Sequence, residues 1–359
     1  MKHKSYVPLL LAVISLEGIA LGDDLFPNDS ILDSLQSITA STIPASGELN
    51  PYGVAFVPAG FPSGGSIAAG DVLVANFNNS TNTQGTGTTI VSISPTGTQS
   101  LFTTSTLIGL DTALGVLSHG FVVVGNLPVT GGSPGQGALQ VFNRNGKLVA
   151  TFTDSKLLDS PWDLTINDQG SKAQVFVSNV LSGTVTRLNL SIASGTVTLV
   201  SKTQIGSGYA TAPNMAAVVV GPTGLAYDPS RHILYVASTD DNKIFGIDDA
   251  DDRTSSAGTG FVVFADPNHL HGPLGLTLAP NGNLITANGD AVFAGPAGTQ
   301  NLLVEFTEGG AFVAKYHLDR GAPGGAFGVA SASSQNAVRF AAVDDDLNTV
   351  TVWTLRSPF

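Results

Sequence analysis

Cysteine is absent from all 359 residues. Disulfides, zinc–thiolate centres, iron–sulfur clusters and cysteine nucleophiles are therefore excluded. Charge is scarce as well: Asp, Glu, Lys and Arg make up 12% of the chain, about half the usual share. The little charge present is acidic, a formal −12. Nucleic acid and anionic membrane both need a basic face, so neither is expected as a partner. A chain without disulfides must rest on its core, and at this length it can bury about 75% of its unfolded surface. In place of charge the sequence has 42 glycines, 19 prolines and abundant Ser, Thr and Asn. That is the composition of a turn-rich β protein.

The N-terminus is a separate matter. Lys2 and Lys4 precede an apolar run at residues 7–16, and Ala20-Leu21-Gly22 stands just before Asp23-Asp24. This pattern predicts a secretory signal peptide, residues 1–22, cleaved near Gly22-Asp23. It is too short to span a bilayer comfortably, and no span is expected in the mature chain. The expected destination is extracellular or periplasmic, and the expected state is a monomer.

Residues 221–248, GPTGLAYDPSRHILYVASTDDNKIFGID, are the most legible stretch. Three short runs rich in β-branched and aromatic residues are separated by Asp-Pro-Ser and Thr-Asp-Asp-Asn, as in an antiparallel meander. The first run recurs near residues 52–56, 113–117, 162–166, 274–278 and 327–330. The second recurs at 72–76, 121–126, 175–179, 284–288 and 339–344. Six copies at a period of roughly 50 residues fall within the range of propeller blades. A fourth strand closes five copies, and the last copy ends after its third. Residues 36–43 can supply the missing strand and leave no open edge. The expected fold is all-β: a six-bladed β-propeller of four-stranded antiparallel blades, one domain over residues 23–359. Alternating small and large residues, as in Gly224-Leu225-Ala226-Tyr227, suit crowded inner strands. The glycines there read as packing residues and not as a phosphate loop, since no helix follows them.

Pro222-Thr223-Gly224-Leu225-Ala226-Tyr227-Asp228 with Leu234-Tyr235-Val236-Ala237 and Asn242-Lys243-Ile244 resembles an NHL repeat. Residues 272–284, GPLGLTLAPNGNL, are a second match. The whole chain is similar to secreted bacterial NHL-type, TolB-like propeller proteins. That resemblance implies a module that binds a protein, a glycan or a small molecule, without implying one reaction. More distantly the blade layout resembles the gluconolactonase and regucalcin group. That group holds a divalent metal on the axis with a Glu from an early blade entrance, an Asn and an Asp. Asn179 and Asp240 match the Asn and the Asp, whereas the first entrance reads Asn50-Pro51-Tyr52-Gly53, with Glu48 just before it. The resemblance thus carries a second reading: a metal-dependent hydrolase, lactonase or lyase.

Second strands end in Asn76, Asn126, Asn179, Asp240, Asn288 and Asp344. In a closed ring these ends share one face with the loops entering each first strand, so the six form a candidate ligand-binding mouth. Amide and carboxylate oxygens suit Ca²⁺ or another divalent cation; equally, Asn and Asp cap turns. His269 and His271, alternate residues of an expected extended segment, are candidate catalytic groups, as a metal pair or as a general base oriented by Asp290 or Asp344. The alternative is a histidine pair packed on the next blade. The insertion at residues 206–220 is either a lid over this face or a long connection. The acidic run at 248–253 lacks the EF-hand glycine and terminal Glu, and reads as a solvated turn.

Overall fold

The computed structural model describes residues 30–32, 37–334 and 337–356. The expected signal peptide lies outside these residues. Their regular structure is all β, with six four-stranded antiparallel sheets arranged as propeller blades. Blade 1 is built from Leu49–Phe56, Val72–Asn78, Thr89–Ile93 and Gln99–Thr104. Blade 2 uses Leu110–Leu117, Phe121–Asn126, Leu139–Asn143 and Leu148–Phe152. Blade 3 uses Pro161–Asp168, Lys172–Asn179, Thr184–Ala193 and Thr196–Ser207. Blade 4 follows with Pro222–Asp228, Ile233–Ser238, Lys243–Ile247 and Phe261–Phe264. Blade 5 is Pro273–Leu278, Leu284–Asn288, Leu302–Phe306 and Phe312–His317. Blade 6 has Ala326–Ser334, Ala337–Asp344 and Thr349–Arg356.

The fourth strand of blade 6 comes from the other end of the chain. Ser37–Ser41 pairs antiparallel with the third strand, from Ser37 opposite Trp353 to Ser41 opposite Thr349. A second tie lies upstream. The buried Glu305 carboxylate accepts hydrogen bonds from the Ser30 hydroxyl (2.6 Å) and the Ile31 amide (3.1 Å). Ile31 and Leu32 pack there against Ala279, Ile285 and Trp353.

The first strands run closest to the axis, and glycine decides how near they come. A Cβ on Gly224 would overlap the Leu274 carbonyl of blade 5; on Gly275, the Phe327 carbonyl of blade 6; on Gly328, the Tyr52 carbonyl of blade 1. Neighbouring inner strands thus meet backbone to backbone, which any side chain at these positions would prevent. Each first strand also breaks register just after its entrance, between Pro51 and Gly53, Leu110 and Leu114, Pro161 and Asp163, Pro222 and Leu225, Pro273 and Leu276, and Ala326 and Val329. A bulge re-aims a side chain. Here the residues inside the bulges include Tyr52, Asp111, Trp162, Thr223, Leu274 and Phe327.

A chain beginning at Pro44 should expose the unpaired edge of Thr349–Arg356 and lose both N-terminal ties. We expect thermal melting to show a midpoint lower by roughly 10 °C or more, the shift for a loss of about 5 kcal/mol in a chain of this size. An unchanged midpoint would contradict the closure.

Candidate functional site

Ladder register places Asn76, Asn126, Asn179, Ser238, Asn288 and Asp344 at equivalent positions, opposite Pro51, Leu110, Pro161, Pro222, Pro273 and Ala326. In blade 4 the place expected for Asp240 therefore belongs to Ser238. Asp240 lies two residues on, half-buried in the turn before the third strand. Its neighbour Asp241 accepts hydrogen bonds from the Ser238 hydroxyl (2.7 Å) and the Ala210 amide (3.0 Å).

The four asparagines are buried and engaged. Asn126 donates to the Ile108 carbonyl (2.8 Å) and accepts from the Ala138 amide (2.8 Å). Asn179 accepts from the Asp159 amide (3.1 Å) and donates to the Thr184 and Thr186 hydroxyls (3.2 and 3.1 Å). Asn288 accepts from the His271 amide (3.0 Å) and donates to the His269 carbonyl (2.8 Å). Asn76 donates to the Thr42 carbonyl and the Thr89 hydroxyl, both at 3.1 Å, and its own oxygen has no partner. In each case the amide ties the end of the second strand to the loop that enters the first. Asp344 accepts from the Leu347 amide (3.0 Å) in a local turn. Burial raises its pKa, with the Asp319 and Asp346 charges adding to the shift.

A parallel set of ties escaped the sequence reading. Asn242, Asn301 and Asn348 stand just before the third strands of blades 4, 5 and 6, with φ of 50°, 55° and 53°. The left-handed conformation favours Asn, and it lets each side chain reach the next blade's entrance. Asn242 accepts from the Gly272 amide (2.7 Å), Asn301 from those of Gly324 and Gly325 (2.9 and 2.7 Å), and Asn348 from that of Asn50 (2.7 Å). An Asn preceding a β-branched or aliphatic run was the signal available.

The axial mouth on this face is filled by aromatic rings. Tyr52 stacks on Phe327 (centroids 3.8 Å, interplanar angle 12°) and on Phe77 (4.5 Å, 13°), with Trp162 at 6.4 Å from Phe327. Leu127, Val129, Val180, Val219 and Leu274 complete the plug. The insertion at 206–220 contributes a small hairpin, Ala212–Asn214 paired with Val218–Val220, whose Val218 and Val219 pack onto these rings. Val218 has φ of 63° and lies between the Ala217 carbonyl and the Val219 amide, which bond at 2.6 Å. That is a γ-turn of the strained, positive-φ kind on a β-branched residue. A cavity of about 200 Å³ remains here, lined by Ala217, Leu274, Phe327, Asp345 and Asp346 among others.

The histidines do not form a pair. The amides of His269 and Leu270 both bond back to the Asp266 carbonyl (3.1 and 2.8 Å), so the segment is a turn and not the extended run expected. Its imidazoles take separate courses. His269 bonds Asp266 through Nδ1 (2.6 Å) and stacks on Phe312 (3.8 Å, 14°), an outer-strand residue. His271 is buried beneath Gly295, its Nε2 has no partner, and burial lowers its pKa. Asp290 accepts from the Asn301 amide (2.6 Å), and burial pushes its pKa up to about 7.

A metal of the kind implied for lactonase-type propellers does not fit these groups. Glu48 spends both carboxylate oxygens on blade 1's third strand, accepting from the amides of Thr88 and Thr89 (3.0 and 2.7 Å) and from their hydroxyls (2.8 and 2.5 Å). Asn179 is committed at both ends of its amide, and Asp240 is off the ring. Among the described residues no three His, Asp or Glu side chains are placed to hold a metal ion.

The other end of the axis is open. A cavity of about 590 Å³ enters from the face of the hairpins joining first to second strands, and all six inner strands line it. Its walls are Val54, Leu114, Val116, Ile166, Leu276 and Val329 with small residues between them. Thr112 and Asp163 lie at the inner end and Arg339 lines the wall. Asp163 accepts from the Leu164 and Leu225 amides, both at 2.8 Å, and burial holds its pKa well above the usual carboxylate range.

No protein-family model and no curated protein matches the sequence. Solved structures do match. A gluconolactonase from Xanthomonas campestris is 13% identical with a TM-score of 0.53, covering 90% of this chain and 96% of that one. A calcium-binding protein, regucalcin, from Agrobacterium tumefaciens is 12% identical with a TM-score of 0.53, covering 88% and 94%. A luciferin-regenerating enzyme is 13% identical with a TM-score of 0.52, covering 90% and 96%. At this identity the likeness is one of fold: the chain is a six-bladed propeller of the gluconolactonase and regucalcin layout.

Two outcomes follow. Replacing Asn179 by Ala strands the Asp159 amide and the Thr186 hydroxyl, Thr184 keeping its bond to Ser182, and should cost about 2 kcal/mol of unfolding free energy in denaturant titration. Asp240→Ala should stay within about 0.5 kcal/mol. The acidic side chains set a pH dependence. Asp290, Asp344, Asp345 and Asp346 all have raised pKa values in the fold. The folded chain therefore holds more protons than the unfolded one between about pH 4 and 7, and stability falls as pH rises through that window. Melting should occur at higher temperature at pH 5 than at pH 8, with the difference reduced in Asp290→Asn.

Proposed function

We propose that the chain is a secreted binding propeller that takes a small molecule into its axial cavity from the face opposite the polar loops. The open, mostly apolar 590 Å³ cavity carries this reading. Its size lies within the range of ligand pockets, and its few polar groups are set among aliphatic walls, the usual make-up of such sites. The matched gluconolactonase and luciferin-regenerating enzyme are named for reactions, and regucalcin for binding calcium. For this chain the hydrolase reading has no support at the mouth where the resemblance would put a metal. Glu48 and Asn179 are consumed by backbone and threonine partners, and the axis there is packed with Tyr52, Trp162 and Phe327. Secretion follows from the N-terminal pattern alone.

The test uses a neutral apolar dye, N-phenyl-1-naphthylamine, whose emission rises in an apolar site. Saturable binding at one site per chain, unchanged by EDTA and abolished by Thr165→Phe on the cavity wall, is the expected result. Absence of saturable binding, or binding that Thr165→Phe leaves intact, would contradict it.

A further inference from the structure

The axial cavity is asymmetric in charge. Among its lining residues Arg339 is the only cation, and Asp163 the only carboxylate. The Asp163 oxygens are occupied by two backbone amides. Arg339 is different. It rises from the second strand of blade 6 opposite Ala332 and reaches across to blade 1. Its guanidinium lies 4.8 Å above the centroid of the Phe56 ring, and Nη1 donates to the Gly70 carbonyl. Among the described residues it forms no ion pair. Asp71 is within electrostatic reach without forming an ion pair, and its Oδ2 accepts from the Ala68 amide (2.9 Å) and the Ser92 hydroxyl (3.2 Å). A guanidinium carries five N–H donors in a planar fork, and a ring face holds that plane in orientation. Arg339 is half-buried beside an apolar cavity, and one carbonyl bond leaves its fork with further N–H donors. That arrangement suits an anion that arrives with a ligand.

We infer that the axial cavity binds a small amphipathic monocarboxylate, an alkyl or aryl acid. Its apolar body lies among Val54, Leu114, Val116, Ile166, Leu276 and Val329, and its carboxylate lies on Arg339. This rests on the axial-cavity reading above and specifies the ligand class. At the inner end each Asp163 oxygen is turned to a backbone amide, that of Leu164 or Leu225, and burial raises its pKa, which lessens the opposition to an acid there. A neutral alcohol of the same length would gain the wall contacts but leave the guanidinium without an anion. An alkylammonium ion would be repelled by it. Arg against carboxylate is also the pairing that planar, two-point hydrogen bonding favours.

Calorimetric titration with sodium decanoate, 1-decanol and decyltrimethylammonium tests this. The intact chain should bind decanoate one to one and prefer it to decanol by about 10-fold or more, the worth of a charge-assisted hydrogen bond. Arg339→Gln should remove that preference and leave decanol binding unchanged; Arg339→Lys, which keeps the charge, should retain part of it and covers the case of a misfolded Gln variant. Thr165→Phe should abolish both. Equal binding of decanoate and decanol, or a preference that survives Arg339→Gln, would overturn the carboxylate assignment while leaving the axial-cavity reading in place. Failure of decanoate, decanol and the neutral dye alike would overturn both.

Discussion

Six sheets can surround one axis only if their inner strands come close to each other, and that crowding governs the rest of the molecule. Gly224, Gly275 and Gly328 have room for a hydrogen and nothing larger, because the next blade's backbone occupies the place of a Cβ. The bulges follow from the same crowding. One extra residue near each entrance, or two in blade 2, releases the strand from its ladder and re-aims a side chain. Where that side chain is Tyr52, Trp162 or Phe327, the axis is closed by stacked rings. Further along the same strands the small residues leave a space, and the cavity is that space.

The polar loops are explained by the plug. Once the mouth is filled with apolar rings, backbone groups of six entrance loops lie beside it with limited access to water, and an unpaired one costs about 1–3 kcal/mol. Asn126, Asn179 and Asn288 satisfy them within a blade, and Asn242, Asn301 and Asn348 do so between blades. Amide side chains suit this work because each offers both donor and acceptor. A ring of Asn and Asp at one face of a propeller is therefore not by itself a cation site. Its oxygens must also be free, and in three of the four second-strand asparagines they are not.

The architecture was legible in the sequence because it repeats. The run LAYDPSRHILYVAS and its five relatives carry strand periodicity, turn residues and spacing together, and the closing strand announced itself by the lack of a fourth strand after Trp353. Ring positions were also readable, save in blade 4, where Ser238 and not the more conspicuous Asp240 is in register. What the side chains bond to was not readable. The sequence places Asn179 after a strand; it does not say that Asp159, twenty residues earlier, presents its amide there. His269-Leu270-His271 looked extended by its alternation, and the backbone bonds of Asp266 curl it instead. Arg339 gave no signal, being one polar residue in an outwardly ordinary strand, VRFAAVD. Its meaning arises only when blade 6 meets blade 1, a contact of residues about 270 apart.

The central claim is that the axis is closed at the polar-loop face and open to ligand at the other. A crystal structure grown with 10-bromodecanoic acid tests it directly, because anomalous scattering locates the bromine without reference to the rest of the map. The account predicts bromine among Val54, Leu114, Ile166 and Leu276, with the carboxylate on Arg339. Bromine beneath the hairpin of residues 212–220, between Leu274 and Phe327, would contradict it.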